Sequence, residues 1–160
     1  MSTNPLPRSP RAGEVVEIEN PAEVAARKPA PEWIVPLARL LFTAIFIAAA
    51  PGHFTSGTIA YAAKAGVPAA SILVPISGAL ALVGGLSILL GFRARAGAWL
   101  LVMFLVPVTF WMHRFWGLSD PTAAQMQQIN FMKNMAMLGG ALLIAYFGAG
   151  PFSFDARRRR

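Results

Sequence analysis

From Trp33 onward the chain is built of long apolar blocks separated by short polar breaks. Amphipathic surface helices would spread these residues out instead. The first block runs from Trp33 to Ala50, with Pro36 in what would be its first turn, and Pro51–Gly52 ends it. The second runs from Ser71 to Phe92, with Pro75 near its start. The third spans Ala94 to Met112. The fourth spans Ile129 to Phe147 and stops at Gly148, Gly150 and Pro151. Each approaches the ~20 residues that a helix needs to cross a hydrocarbon core. In that core every backbone donor and acceptor must be satisfied within the segment, which leaves helix as the assignment. The pattern therefore predicts an all-α fold, an integral membrane four-helix bundle over residues 33–151.

Residues 1–32 are polar, charged and rich in proline, with no apolar run able to bury a core. They read as a disordered tail, with room for a short helix near Pro21–Arg27. Residues 152–160 read as a second, basic tail. Between the first two blocks, Ile59, Ala60, Ala63 and Val67 recur at helical spacing beside Tyr61 and Lys64, and Pro68 follows. This predicts a short surface helix within 56–67. Gly78, Ala81 and Gly85 form one small-residue stripe, and Ala136 and Gly140 another, where membrane helices can approach closely.

Composition narrows the class further. Hydrophobic residues make up 56% of the 160 and charged residues 13%, about half the charge usual in a soluble domain. The formal charge is +7, from 14 basic and 7 acidic side chains. Four of the arginines are Arg157 to Arg160, directly after an apolar block, where a basic segment meets anionic lipid headgroups. That placement argues for a lipid bilayer and against nucleic acid. Cysteine is absent, which excludes disulfide relays, iron–sulfur clusters and thioether-bound haem. The N-terminus, with Glu14, Glu17, Glu19 and Glu23, is not a secretory signal.

Charge also orients the bundle. Arg8, Arg11, Arg27, Lys28, Arg93, Arg95 and the terminal arginines fall on one side, and only Lys64, Arg114 and Lys133 on the other. The positive-inside rule then places both termini and the short second connection in the cytoplasm, as in a multi-pass protein of the bacterial plasma (inner) membrane. The connections Pro51–Ala70 and His113–Gln128 would face outward.

Polar residues inside or beside the blocks are few. His53 follows the first block. His113, Arg114 and Trp116 follow the third, and Asp120 lies in the next loop. Gln127, Asn130 and Asn134 share one face leading into the fourth, with Lys133 adjacent. All of these gather at the expected outward end. An interfacial belt accounts for many of them, with Trp111 and Trp116 at headgroup depth and Lys133 and Arg114 reaching phosphates. Asn134 lies deeper, where an amide needs a partner. Arg39, one turn inside the first block, is expected to snorkel to the inner headgroups. Two histidines at one depth are also the ligand pattern of a b-type haem, but the flanking residues do not support it. No carboxylate lies inside any block, which weakens a proton-coupled transporter. No metal-ligand spacing, phosphate loop or nucleophilic triad is visible.

Several stretches resemble the DoxX family of small bacterial and archaeal membrane proteins. They are Arg39, His53–Phe54, Gly66–Pro68, the run from Ser77 to Arg95, the run from His113 to Pro121, and the run from Gln127 to Leu143. The resemblance implies a four-helix bundle. Some members are subunits of thiosulfate:quinone oxidoreductase, and others associate with oxidative-stress proteins. Many members carry a glutamate in the second helix where this chain has Ala81.

The combined expectation is a membrane subunit of a redox system, with a quinone or similar lipophilic carrier bound at the outward end. His53 and His113 would bond its carbonyls and move protons. Gln127 and Asn134 would orient the ring, and Trp111 or Trp116 would stack on it. Electrons would come from a soluble or membrane redox partner. The alternative is a non-catalytic anchor that recruits a soluble partner. The expected topology has a direct check: cysteines replacing Thr3 and Thr122 should be labelled by impermeant reagents from opposite faces of the membrane, and labelling from one face would refute it.

Overall fold

The computed structural model describes residues 30–158. The expected tail over 1–32 and the short helix near Pro21–Arg27 fall almost wholly outside the described residues, as do Arg159 and Arg160. Among these residues six α-helices follow one another: α1 Ile34–Ala49, α2 Ser56–Lys64, α3 Ala70–Leu90, α4 Ala94–Met112, α5 Pro121–Phe147 and α6 Phe154–Arg157. A 3-10 turn, Ala50–Phe54, continues α1. Pro51 has no N–H to offer an α-helical ladder, and the chain tightens there.

Among the described residues three segments are long and apolar enough to cross a membrane: Ile34–Phe54, Ala70–Leu90 and Ala94–Met112. The fourth apolar block is also helical, but its helix begins at Pro121 rather than Ile129. Asp120 is the N-cap, its carboxylate accepting from the Thr122 N–H at 3.0 Å, and Pro121 takes the first position. Much of the connection expected as a loop is therefore helix. Gln127, Gln128, Asn130, Lys133 and Asn134 lower the hydropathy of α5, so it stands outside the three.

The short helix between the first two blocks is present as α2, and of the expected face Ile59 and Val67 turn inward but Ala60 and Ala63 do not. Ala62 is buried beside Ala70 and Val74, with Ile59, Val67 and Met112 around them, while Ala60 and Ala63 are exposed. Thr55 caps its start. Gly66, at φ +85°, ends it, and the Val67 N–H reaches back to the Ala62 carbonyl at 3.0 Å.

The core runs along the four long helices. Phe46, Ala81, Ile88, Ala98, Leu101, Phe104, Leu105 and Ala141 form one buried cluster. Outside it many large apolar side chains are exposed along the long helices. Leu41 is 68% exposed, and Ile72, Met103 and Leu143 are 60% exposed. Those faces suit lipid. The tightest helix contact is α3 on α4: a Cβ on Gly84 would lie 2.8 Å from the Gly97 carbonyl, and one on Gly97 would lie 3.0 Å from the Gly84 carbonyl. The Gly78–Ala81–Gly85 stripe turns the other way. Gly85 faces Ile47 and Phe46 of α1, and Gly78 faces His53 and Phe54. Of the second small pair, Gly140 lies against the Phe42 ring, whereas Ala136 is exposed.

Because the atom facing Gly84 is backbone, it cannot swing aside. Gly84→Val should destabilise the fold by about 1–3 kcal/mol, seen as a lower melting temperature in detergent. Gly139→Val, with nothing within 4 Å of a new Cβ, should cost less. Equal melting of the two variants would contradict this crossing.

Candidate functional site

The expected cluster of polar residues divides into two places. The first is a cavity of about 300 Å³ between the 3-10 turn, α2, α3 and α4. His53, Thr58, Ser77, Phe104 and Trp111 line it, together with Met103, Pro107 and other apolar side chains. Its wall is mostly hydrocarbon, with a few polar atoms, as small-molecule sites commonly are.

Those polar atoms are oriented by their neighbours. The His53 Nδ1 lies 3.2 Å from the Ala49 carbonyl. A carbonyl only accepts, so Nδ1 carries the proton, and in the neutral ring Nε2 is an acceptor. The imidazole also meets Phe104 edge-on, centroids 5.7 Å apart. Ser77 donates its hydroxyl to the Val74 carbonyl at 2.7 Å. Trp111 donates Nε1–H to the Gly66 carbonyl at 3.1 Å, tying α4 to the end of α2. Pro107 has no N–H, so the Met103 carbonyl lacks its usual helical donor.

The second place lies between α4 and α5. His113 follows the last turn of α4, and its Nδ1 donates to Gln127 Oε1 at 2.9 Å. Trp116 packs edge-on against Phe115 and Phe131, at 5.3 and 5.9 Å. Lys133 donates to Asn130 at 3.0 Å. Asn134, only 4% exposed, sits on the inward stripe of α5 with Ala141. His113, Trp116, Gln127 and Asn134 do not line the cavity that holds His53 and Trp111. The single shared cavity read from the sequence is thereby corrected. The early start of α5 supplies His113 with a partner of its own, and the α2–α3 side closes around His53. Among the described residues no three His, Cys, Asp or Glu side chains gather as a metal site would require.

The opposite end of the molecule holds what the sequence reading missed. Arg39 does not snorkel: it is 5% exposed, and its Nη2 donates to the Phe152 carbonyl at 2.6 Å. Nε and Nη1 have no partner among the described residues. The last segment also binds the turn between α3 and α4. Asp155 accepts from the N–H groups of Arg93 and Ala94, at 2.8 and 3.0 Å, and its own N–H donates to the Gly91 carbonyl at 2.8 Å. A carboxylate thus caps the start of α4 from 61 residues away. Residues 152–158, read as a basic tail, are fastened to the bundle. Gly91, at φ +64°, leaves room for this: a Cβ there would collide with Arg39 and Ser153.

A family model described as the SURF4 family matches residues 64–160. The chain belongs to the SURF4 family. The match covers α3 to α6, including the Asp155 cap and the α3 and α4 side of the cavity wall, whereas His53, Thr58 and Ala62 precede it. The SURF4-family chain is 35% identical over 121 residues to Inner membrane protein YqjF of Escherichia coli strain K12, covering 74% of this chain and 87% of that protein. It is 30% identical over 101 residues to Inner membrane protein YphA of the same organism, covering 63% of this chain and 71% of that protein. No solved structure matches it significantly. Its apolar helices and these relatives make it an integral membrane protein.

The resemblance to DoxX proteins is corrected by the same findings, since the matching model is SURF4 and the relatives are YqjF and YphA. The stretches behind it are of a general membrane-helix kind. A glycine-bearing helix, a basic turn and a histidine after a first span are features that close helix packing and headgroup contact can impose on unrelated families. Ala81 then needs no lost carboxylate to explain it, being a buried core residue in the cluster with Phe46.

The cap has a local signature. Asp155→Ala should destabilise this SURF4-family protein by about 1 kcal/mol, the usual cost of losing an N-cap. It should also speed hydrogen exchange at the Arg93 and Ala94 amides. Unchanged exchange there would rule out the cap.

Proposed function

We propose that the protein is a four-helix protein of the bacterial plasma membrane that holds a lipophilic molecule of the quinone class in the cavity between α2, α3 and α4. In this reading α5 is the fourth span. At about 1.5 Å per residue its 27 residues exceed the ~30 Å hydrocarbon core, so its polar first turns stand at the headgroups. Both termini lie on the cytoplasmic side with the arginines.

The observation that carries the reading is the cavity itself: apolar, large enough for a substituted ring, and placed on membrane-crossing helices. Its polar groups also bear on the ligand's state. The donors of Ser77 and Trp111 are already spent on carbonyls. With Nδ1 donating to Ala49, the other ring nitrogen of His53 faces the ligand, and Pro107 leaves the Met103 carbonyl an acceptor. Acceptors pair with hydroxyl donors, so the reduced, hydroxylated form fits the wall better than the carbonyl form. His53 is the group placed to take a proton from such a hydroxyl. With no cysteine in the chain, redox equivalents would pass to or from a partner.

The test is purification in mild detergent followed by extraction and mass spectrometry of bound lipophiles. A stoichiometric quinone or quinol is expected. Ser77→Phe, which fills the cavity, should abolish its retention, while Leu143→Phe on the lipid-facing surface should not. A wild-type protein that retains no such molecule would end the proposal. His53→Ala should weaken retention of the quinol by roughly tenfold, about one hydrogen bond, and leave the melting temperature in place.

A further inference from the structure

A second cavity lies at the arginine end, between the start of α4, the end of α5 and the final segment. Its volume is about 630 Å³, and Arg93, Arg95, Arg158, Phe147, Gly148 and Asp155 are among its lining residues. We propose that it is a binding site for the phosphate-bearing headgroup of an anionic phospholipid. This inference is independent of the quinone-class reading.

Charge is the first argument. Three guanidiniums line the cavity with one carboxylate. Both oxygens of that carboxylate are taken up by the N–H groups of Arg93 and Ala94. It caps a helix and leaves the arginines in excess.

Geometry is the second. The Arg93 and Arg158 guanidiniums both lie over the Phe92 ring, 5.9 and 5.5 Å from its centroid. Two cations on one ring repel each other, and an anion between or beside them relieves that cost. Guanidinium forks match phosphate oxygens two at a time.

Depth selects a lipid over a soluble anion. Arg93 and Arg95 flank the first residue of a membrane-crossing helix, α4. Phe147, on the cavity wall, is 72% exposed at the end of α5, with exposed Tyr146 beside it. A phosphate among the arginines would therefore have apolar surface directly below for acyl chains. Basic pockets between membrane helices bind lipid headgroups in this manner.

The experiment uses the full chain in nanodiscs of phosphatidylcholine with or without phosphatidylglycerol, released into detergent for native mass spectrometry. One retained phosphatidylglycerol per chain is expected, with phosphatidylcholine lost. The double variant Arg95→Gln/Arg158→Gln should retain it roughly thirty-fold more weakly, as expected for two headgroup-contacting arginines. Its melting temperature in phosphatidylcholine alone should match that of the wild type. Arg95→Lys/Arg158→Lys should recover part of the retention. Equal retention of both lipids, or equal retention by wild type and the glutamine variant, overturns the site. So does displacement of the lipid by millimolar inorganic phosphate, which would mark a soluble-anion site. Should the glutamine variant fail to fold, the wild-type comparison of the two lipids and the phosphate competition still decide.

Discussion

Everything in this molecule is arranged around the backbone contact of Gly84 with Gly97. There the carbonyl of each helix occupies space the other's Cβ would need, so α3 and α4 pack closely near the turn that joins them. In lipid, where apolar surface gains nothing by leaving its solvent, such close packing is a main source of helix association. The other elements attach to this pair. The second glycine stripe of α3 receives α1. The inward face of α5 packs beside Leu101 and Leu105 of α4. Away from the crossing, the first half of α3 and the last half of α4 leave space between them, and that space is the His53 cavity. One end of the pair is closed by glycine, and at the other the two helices part around the His53 cavity.

The two ends therefore differ in chemistry. At the histidine end, side-chain donors are turned onto nearby carbonyls, leaving an apolar room with a few acceptors. At the arginine end, charge is divided between structure and surface. Arg39 is drawn inside to hold the Phe152 carbonyl, and Asp155 is committed to the start of α4. A buried guanidinium with two nitrogens unpartnered among the described residues is costly. Its retention next to Gly91 and Ser153 shows how closely the final segment is fitted to the α3–α4 turn.

Helix positions were largely legible in the sequence because hydrocarbon thickness and backbone satisfaction leave little freedom. The third apolar block coincides with α4, and the first and second match α1 and α3 to within two residues. The start of α5 was not read, because its Asp120–Pro121 cap opens onto polar turns that carry no membrane signal. Of the polar residues singled out, His53 and Trp111 do line a cavity. His113, Trp116, Gln127 and Asn134 do not, since spacing along a chain gives depth but not the direction each helix face takes. Arg39 looked like a headgroup anchor because its partner lies 113 residues away, in a stretch whose composition suggests a tail. A lone aspartate just ahead of four arginines was the one sign that this stretch has a structural duty.

The reach of Asp155 back to α4 also bears on how the protein is made. The ribosome delivers α4 long before the residue that caps it. During that interval the amides of Arg93 and Ala94 must borrow water or lipid headgroups as partners. The cap at that helix end can form only after the last segment has been made. A nascent chain released just short of Asp155 would carry every membrane span and still leave that end unfastened.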